Sequence, residues 1–193
     1  MVKEFKSTNE LIEILTSKGV SIKDDNNARY LIEKYSYYSI VNSYKWIFKI
    51  GKNYKDNASF EEIFAMYKFD KNLKIIMLKY ILEIEAVIKT KIANLFAEKY
   101  GLANYLNVNN FNLKDDNSNL EYIEKLIEEI KNEIDKGNGK HAAITHYMGK
   151  YGYVPPWVVT KILSLGAISK FYGLMKQQDR QEISKQFHIN DRI

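Results

Sequence analysis

The chain is 193 residues long and has no cysteine, which excludes disulfides, thiolate metal sites and a cysteine nucleophile. Two prolines and nine glycines exclude collagen-like and loop-dominated folds, while 46% hydrophobic and 27% charged residues suit a folded chain able to bury its own core. A net charge of +5 with 15 tyrosines permits contact with nucleic acid without requiring it.

The N-terminal MVKEFKSTNE is polar and lacks the apolar core of a signal peptide. No uncharged apolar run reaches the length of a membrane span, and the strongest one, Ile75 to Leu82, is interrupted by Lys79. The expectation is cytoplasmic residence with no membrane partner.

In chain order, Ser7 and Glu10 have capping-box spacing. Leu11, Ile12, Ile14 and Leu15 then form an apolar face, and Gly19 reads as a C-terminal stop. A second helix is predicted from Asp24 or Asp25, carrying Ala28, Leu31 and Ile32. Tyr35 to Phe48 is dense in aromatic and β-branched residues and reads equally as helix or extended chain. Gly51 to Ala58 reads as a loop. Ser59 and Glu62 form a second capping box, after which the helical pattern runs to about Lys99 with Gly101 behind it. An unbroken helix of that length would span roughly 60 Å, far beyond the globular mean, so a break or kink is predicted near Phe69 to Lys71.

Asn104 to Asn117 reads as a loop. Leu120 to Lys136 reads as an acidic amphipathic helix with Tyr122, Ile123, Leu126, Ile127, Ile130 and Ile134 inward, ended by Gly137-Asn138-Gly139. Residues 118–136 hold six acids against three bases, so the rest of the chain is more basic than its overall charge. A short helix from His141 to Lys150 follows. Pro155-Pro156 opens another, carrying Trp157, Val158, Ile162, Leu163, Ile168 and Phe171. A last short helix covers about Asp179 to Phe187. With no internal repeat and no linker, the reading is one all-α domain over residues 1–193.

On a helical wheel of residues 60–99, Ile63, Tyr67, Leu73, Met77, Ile81, Ile84, Ile88, Ile92 and Leu95 gather on one stripe. Asp70, Lys74 and Glu85 fall on that stripe too, where an unpaired charge is costly. Asp70–Lys74 and Glu85–Lys89 have the acid-first i,i+4 spacing that favours pairing. Two readings stay open: ion pairs lacing the rim of a bundle, or an inner polar cluster of Asp70, Lys74, Glu85 and Lys89 that orients a nucleophile, a base or a ligand. Arg29, Lys34, Tyr38, Tyr44 and Lys45 interleave basic and aromatic residues and are candidates for RNA contact. Lys91, flanked by Lys89 and Lys99, is a further one. The open alternatives are tyrosines that belong to the core and lysines on a solvated face. His141 and His146, five apart, fall on different helix faces. No metal site is expected, and no phosphate loop, nucleophile elbow or HExxH motif calls for a cofactor.

An ordered set of segments carries a family likeness: Phe60-Glu61-Glu62-Ile63, Tyr67-x-Phe69-Asp70-x-x-Leu73, Ile84-Glu85, Thr90-x-Ile92-Ala93 and Tyr100-Gly101. With Tyr37-Tyr38 and Tyr44 early, and Pro155-Pro156-x-x-Val159 and Leu163-Ser164-x-Gly166-x-x-Ser169-Lys170 late, the chain resembles the Abi-like (abortive infection) family of bacterial phage-resistance proteins. The likeness covers almost the whole chain in the same order. Ser39 and Lys89 stand where the family commonly has arginine, and Leu82 where it often has glutamate. The resemblance implies a HEPN-like helical bundle with one long central helix, a homodimer, and metal-independent RNA cleavage by an Arg-x4–6-His motif on a late helix. That motif is missing here: Arg180 and His188 have seven residues between them. No catalytic residue is identified, and the chain reads as C-terminally truncated relative to the family. The resemblance thus implies a phage-defence protein that acts on or with RNA without an intact nuclease motif. The alternative is a non-enzymatic RNA- or protein-binding module, such as one member of a toxin–antitoxin-like pair.

Overall fold

A computed structural model describes residues 4–185 and Phe187. Its elements in chain order are α1 (Thr8–Ser17), α2 (Asp25–Tyr35), the hairpin strands β1 (Lys49–Ile50) and β2 (Asn53–Tyr54), then α3 (Phe60–Tyr100) and α4 (Leu120–Gly137). Four shorter helices follow: α5 (Ala142–Tyr151), α6 (Pro156–Ile162), α7 (Leu165–Leu174) and α8 (Gln177–Lys185). The class is all-α, as the sequence predicts. Two compact units divide the chain, Met1–Lys79 and Tyr80–Ile193.

Both capping boxes form. Ser7 N and Oγ donate to Glu10 Oε2 at 2.7 Å, and Ser59 N and Oγ donate to Glu62 Oε2 at 3.2 and 3.1 Å. The break expected near Phe69 to Lys71 is absent, and α3 is helical through 41 residues. The reason is chemical: no glycine or proline lies between Phe60 and Tyr100 to interrupt the hydrogen-bond ladder. The core stripe on α3 holds only at its ends. Ile63, Ile92 and Leu95 are buried, whereas Leu73, Met77, Ile81 and Ile84 are 42%, 54%, 41% and 52% exposed. Among the described residues no helix is long and apolar enough to cross a membrane.

The first unit closes around Ile12, Leu15, Ala28, Ile32, Phe60 and Ile63, with Ile40 and Val41 from the aromatic segment. Ser21 N donates to Ala58 O and Phe60 N to Ser21 O, both at 2.9 Å, which fixes the start of α3 against the chain leaving α1. The ambiguous stretch 35–48 is neither one helix nor a strand. Tyr35 ends α2, Ser36 turns the backbone at φ 64°, and a π-helical turn follows at Tyr38–Asn42.

In the second unit the amphipathic α4 buries Ile123, Leu126, Ile127, Ile130 and Ile134 as its periodicity predicts, but Tyr122 is 65% exposed. Its ring lies past the edge of the apolar stripe. Phe96, Phe111 and Phe171 meet with ring centroids 4.8–5.7 Å apart. The helix expected to run from Pro156 through Phe171 is two helices. Ser164 adopts extended backbone, and its Oγ accepts from Ala167 N at 3.1 Å, so the chain restarts there as α7.

Candidate functional site

The first unit carries an open groove of about 450 Å³. One wall is the π-helical turn. Ser36 occupies φ 64°, ψ 142°, a region held almost only by glycine. Its Oγ accepts from Ser39 N at 3.2 Å and lies 3.1 Å from Ser39 Oγ. Ile40 and Val41 are fully buried and anchor the turn from beneath, which leaves Ser39, Ser43 and Tyr44 on the groove. The other wall is the face of α3 that carries Tyr67, Asp70, Lys71, Lys74, Ile75 and Leu78. These follow i+3 and i+4 steps along one side of the helix.

The walls are tied at one carboxylate oxygen. Asp70 Oδ2 accepts from Tyr44 Oη at 2.5 Å and from Lys74 Nζ at 2.6 Å. The Lys74 ammonium, then the Tyr44 hydroxyl, hold the Asp70 carboxyl below its ordinary range. The same bond to Asp70, with desolvation behind it, pushes the Tyr44 hydroxyl up to about 12. Asp70 is thus an anion engaged on two sides, and Lys71 is the cation on the groove that it does not hold.

Beside the groove runs a row of alternating lysines and tyrosines. Lys34 Nζ lies 5.2 Å from the centroid of the Tyr30 ring and 5.4 Å from that of Tyr35. Lys71 Nζ lies over the Tyr35 ring at 5.3 Å, so the row leads to the groove wall. Tyr30 and Tyr38 are 55% and 73% exposed.

Of the other sequence candidates, Arg29 is paired with Asp25 at 2.7 Å and also donates to Asn9. Lys45 Nζ donates to Asn42 Oδ1 at 2.7 Å. Lys91 is half-buried in the second unit. The four inner-cluster candidates form two pairs, one in each unit: Asp70–Lys74, and Glu85–Lys89 at 2.7 Å with side chains 18% and 15% exposed. His141 and His146 are exposed, and His188 lies outside the described residues.

Sequence reasoning missed Tyr30, Ser43, Tyr67 and Lys71. The i,i+4 pairs Tyr30–Lys34 and Tyr67–Lys71 were the available signal. It also missed a fully buried carboxylate in the second unit. Asp179 accepts from Lys99 and, at 2.6 Å, from Tyr100 Oη. These partners lie about 80 residues away in sequence, which no local pattern reveals.

A family model described as Abi-like protein matches residues 30–193. No curated protein and no solved structure matches the chain. The match takes in the groove, the lysine–tyrosine row and all of the second unit, and on that extent the chain belongs to the Abi-like protein family.

Proposed function

We propose that this Abi-like protein serves bacterial phage defence by abortive infection, and that it does so by holding single-stranded RNA along its first unit. The supporting observation is the row Tyr30, Lys34, Tyr35 and Lys71, with Tyr38 exposed nearby in sequence. Lysines supply the salt-dependent grip on phosphates, and exposed tyrosine rings stack on unpaired bases of any sequence. Fluorescence anisotropy with a 20-nucleotide single-stranded RNA tests this. Two phosphate contacts, on Lys34 and Lys71, give a slope of log affinity against log salt of about −1.4. The double variant Lys34→Ala/Tyr38→Ala is expected to bind at least tenfold more weakly, with a slope shallower by about 0.7. Salt-independent binding, or none at low salt, removes the reading.

One observation favours a protein partner in addition. Ile76 and Met77, each 54% exposed, lie on α3 outside the lining of the groove. Neighbouring exposed apolar side chains mark a surface that a partner covers, and a second copy of the chain is the partner proposed. Sedimentation is expected to show a dimer that Ile76→Asp dissociates; a monomer at all concentrations removes it.

A further inference from the structure

The groove in the first unit presents four kinds of chemistry at once. Lys71 supplies a cation that Asp70 does not hold, Lys74 keeps further N–H donors beside the one it gives to Asp70 Oδ2, and Asp70 is a fixed acceptor. Ser39 and Ser43 bring hydroxyls, while Ile75 and Leu78 form an apolar wall. A bare anion has no use for the acceptor or the apolar wall, and an apolar ligand has no use for two ammonium groups. A phosphorylated nucleoside uses all four: phosphate on the lysines, ring face on the apolar wall, sugar or base donors to the carboxylate and hydroxyls. At about 450 Å³ the groove falls within the range of small-ligand clefts. Two features of the backbone mark the same wall. Ser36 holds a strained conformation, and the turn it sets is π-helical, a form found often at functional positions.

We infer that this groove binds a single unpaired nucleotide, with its phosphate on Lys71 and Lys74 and its ring against Ile75 and Leu78. The inference deepens the RNA reading and rests on it for the source of the nucleotide. It makes the groove the place where one base of a strand leaves the stack, next to the lysine–tyrosine row that grips the backbone.

The full chain is titrated with adenosine monophosphate, uridine monophosphate, adenosine, inorganic phosphate and the 20-nucleotide RNA. Trp46 serves as reporter, because its indole N–H donates to the carbonyl of Ser43 on the groove. Two variants probe the site by different means: Ser43→Phe fills it, and Lys74→Glu reverses one cation whose side chain is already 73% exposed. Lys125→Ala, on α4 in the second unit, is the control. The expected result is binding of both monophosphates, at least tenfold weaker in each groove variant and unchanged in the control, with adenosine and phosphate each much weaker. If RNA binds all variants alike and the monophosphates do not bind, the inference is overturned while the RNA reading survives. Monophosphate binding that depends on the groove, with no RNA binding, would keep the inference, discard the RNA reading and make a free nucleotide the ligand. Inorganic phosphate that binds as well as the monophosphates would overturn the nucleotide assignment.

Discussion

Ser36 sits where a Cβ is costly, at φ 64° and ψ 142°. Strain of this kind amounts to about 1–3 kcal/mol, and glycine adopts the conformation freely, though its unfolded chain is more disordered by about 0.5–1 kcal/mol. Ser36→Ala loses the hydroxyl and keeps the strain; Ser36→Gly loses both. The glycine variant is therefore expected to be the more stable of the two by about 1 kcal/mol in urea unfolding. Equal stabilities would show that the turn stores no strain. Tyr44 offers a second measurement. Its hydroxyl is pushed up to about 12, first by the bond to Asp70 and then by burial, so the folded chain holds that proton more tightly than the unfolded one. Its contribution to stability is complete below pH 10 and is lost as pH rises through 12. Tyr37, raised to about 12 mainly by burial, acts in the same sense. The unfolding midpoint is expected to fall between these pH values, and to fall less in Tyr44→Phe. An equally steep fall in that variant would assign the whole effect to other groups.

Among the elements, α4 shows how tightly one helix end constrains its neighbour. Gly137 closes α4, and a Cβ built there runs into Cδ1 of the fully buried Ile144 on α5. Gly137→Ala gains about 1 kcal/mol of helix propensity and meets overpacking of about 1–3 kcal/mol. A net loss of about 1 kcal/mol follows. Ile144→Val removes the clashing methyl, so in the double variant the two changes should be less costly than their sum by about 1 kcal/mol. Strict additivity would refute the contact. Elements like α4 were legible in the sequence, because five inward positions repeat at helical spacing and glycines close the pattern. The continuity of α3 runs against what its length suggests. Its length argued for a break, yet the sequence contains no residue that causes one. The α6–α7 boundary was missed because Ser164 is an ordinary residue in a helix pattern until its hydroxyl caps Ala167. The groove was half legible. Asp70 and Lys74 announce themselves as charges on an apolar stripe. The opposite wall depends on a strained turn and on Tyr44 reaching Asp70 across 26 residues, neither of which has a local signature.

For the molecule as a whole, the described residues gather into two cores. One gathers Ile12, Leu15, Ile32, Phe60 and Ile63; the other gathers Phe96, Phe111, Ile130, Ile144 and Phe171. Each core lies within one compact unit, so each unit has its own source of hydrophobic stabilisation. The two tryptophans fall one to a unit, Trp46 in the first and Trp157 in the second, so Trp46→Phe and Trp157→Phe leave one reporter apiece. Ile63 is fully buried, and Ile63→Ala is expected to cost the first unit about 2–5 kcal/mol. Urea unfolding followed by Trp46 should shift to lower denaturant in that variant, while the transition followed by Trp157 stays in place. A ligand held in the first-unit groove acts in the opposite direction on the same transition, stabilising it by about 2.7 kcal/mol at a hundredfold excess over its Kd. Adenosine monophosphate should therefore raise the Trp46 midpoint and leave the Trp157 midpoint unchanged. If Ile63→Ala or the nucleotide moves both reporters together, the chain unfolds as one cooperative body, and the separate cores are features of packing rather than of stability.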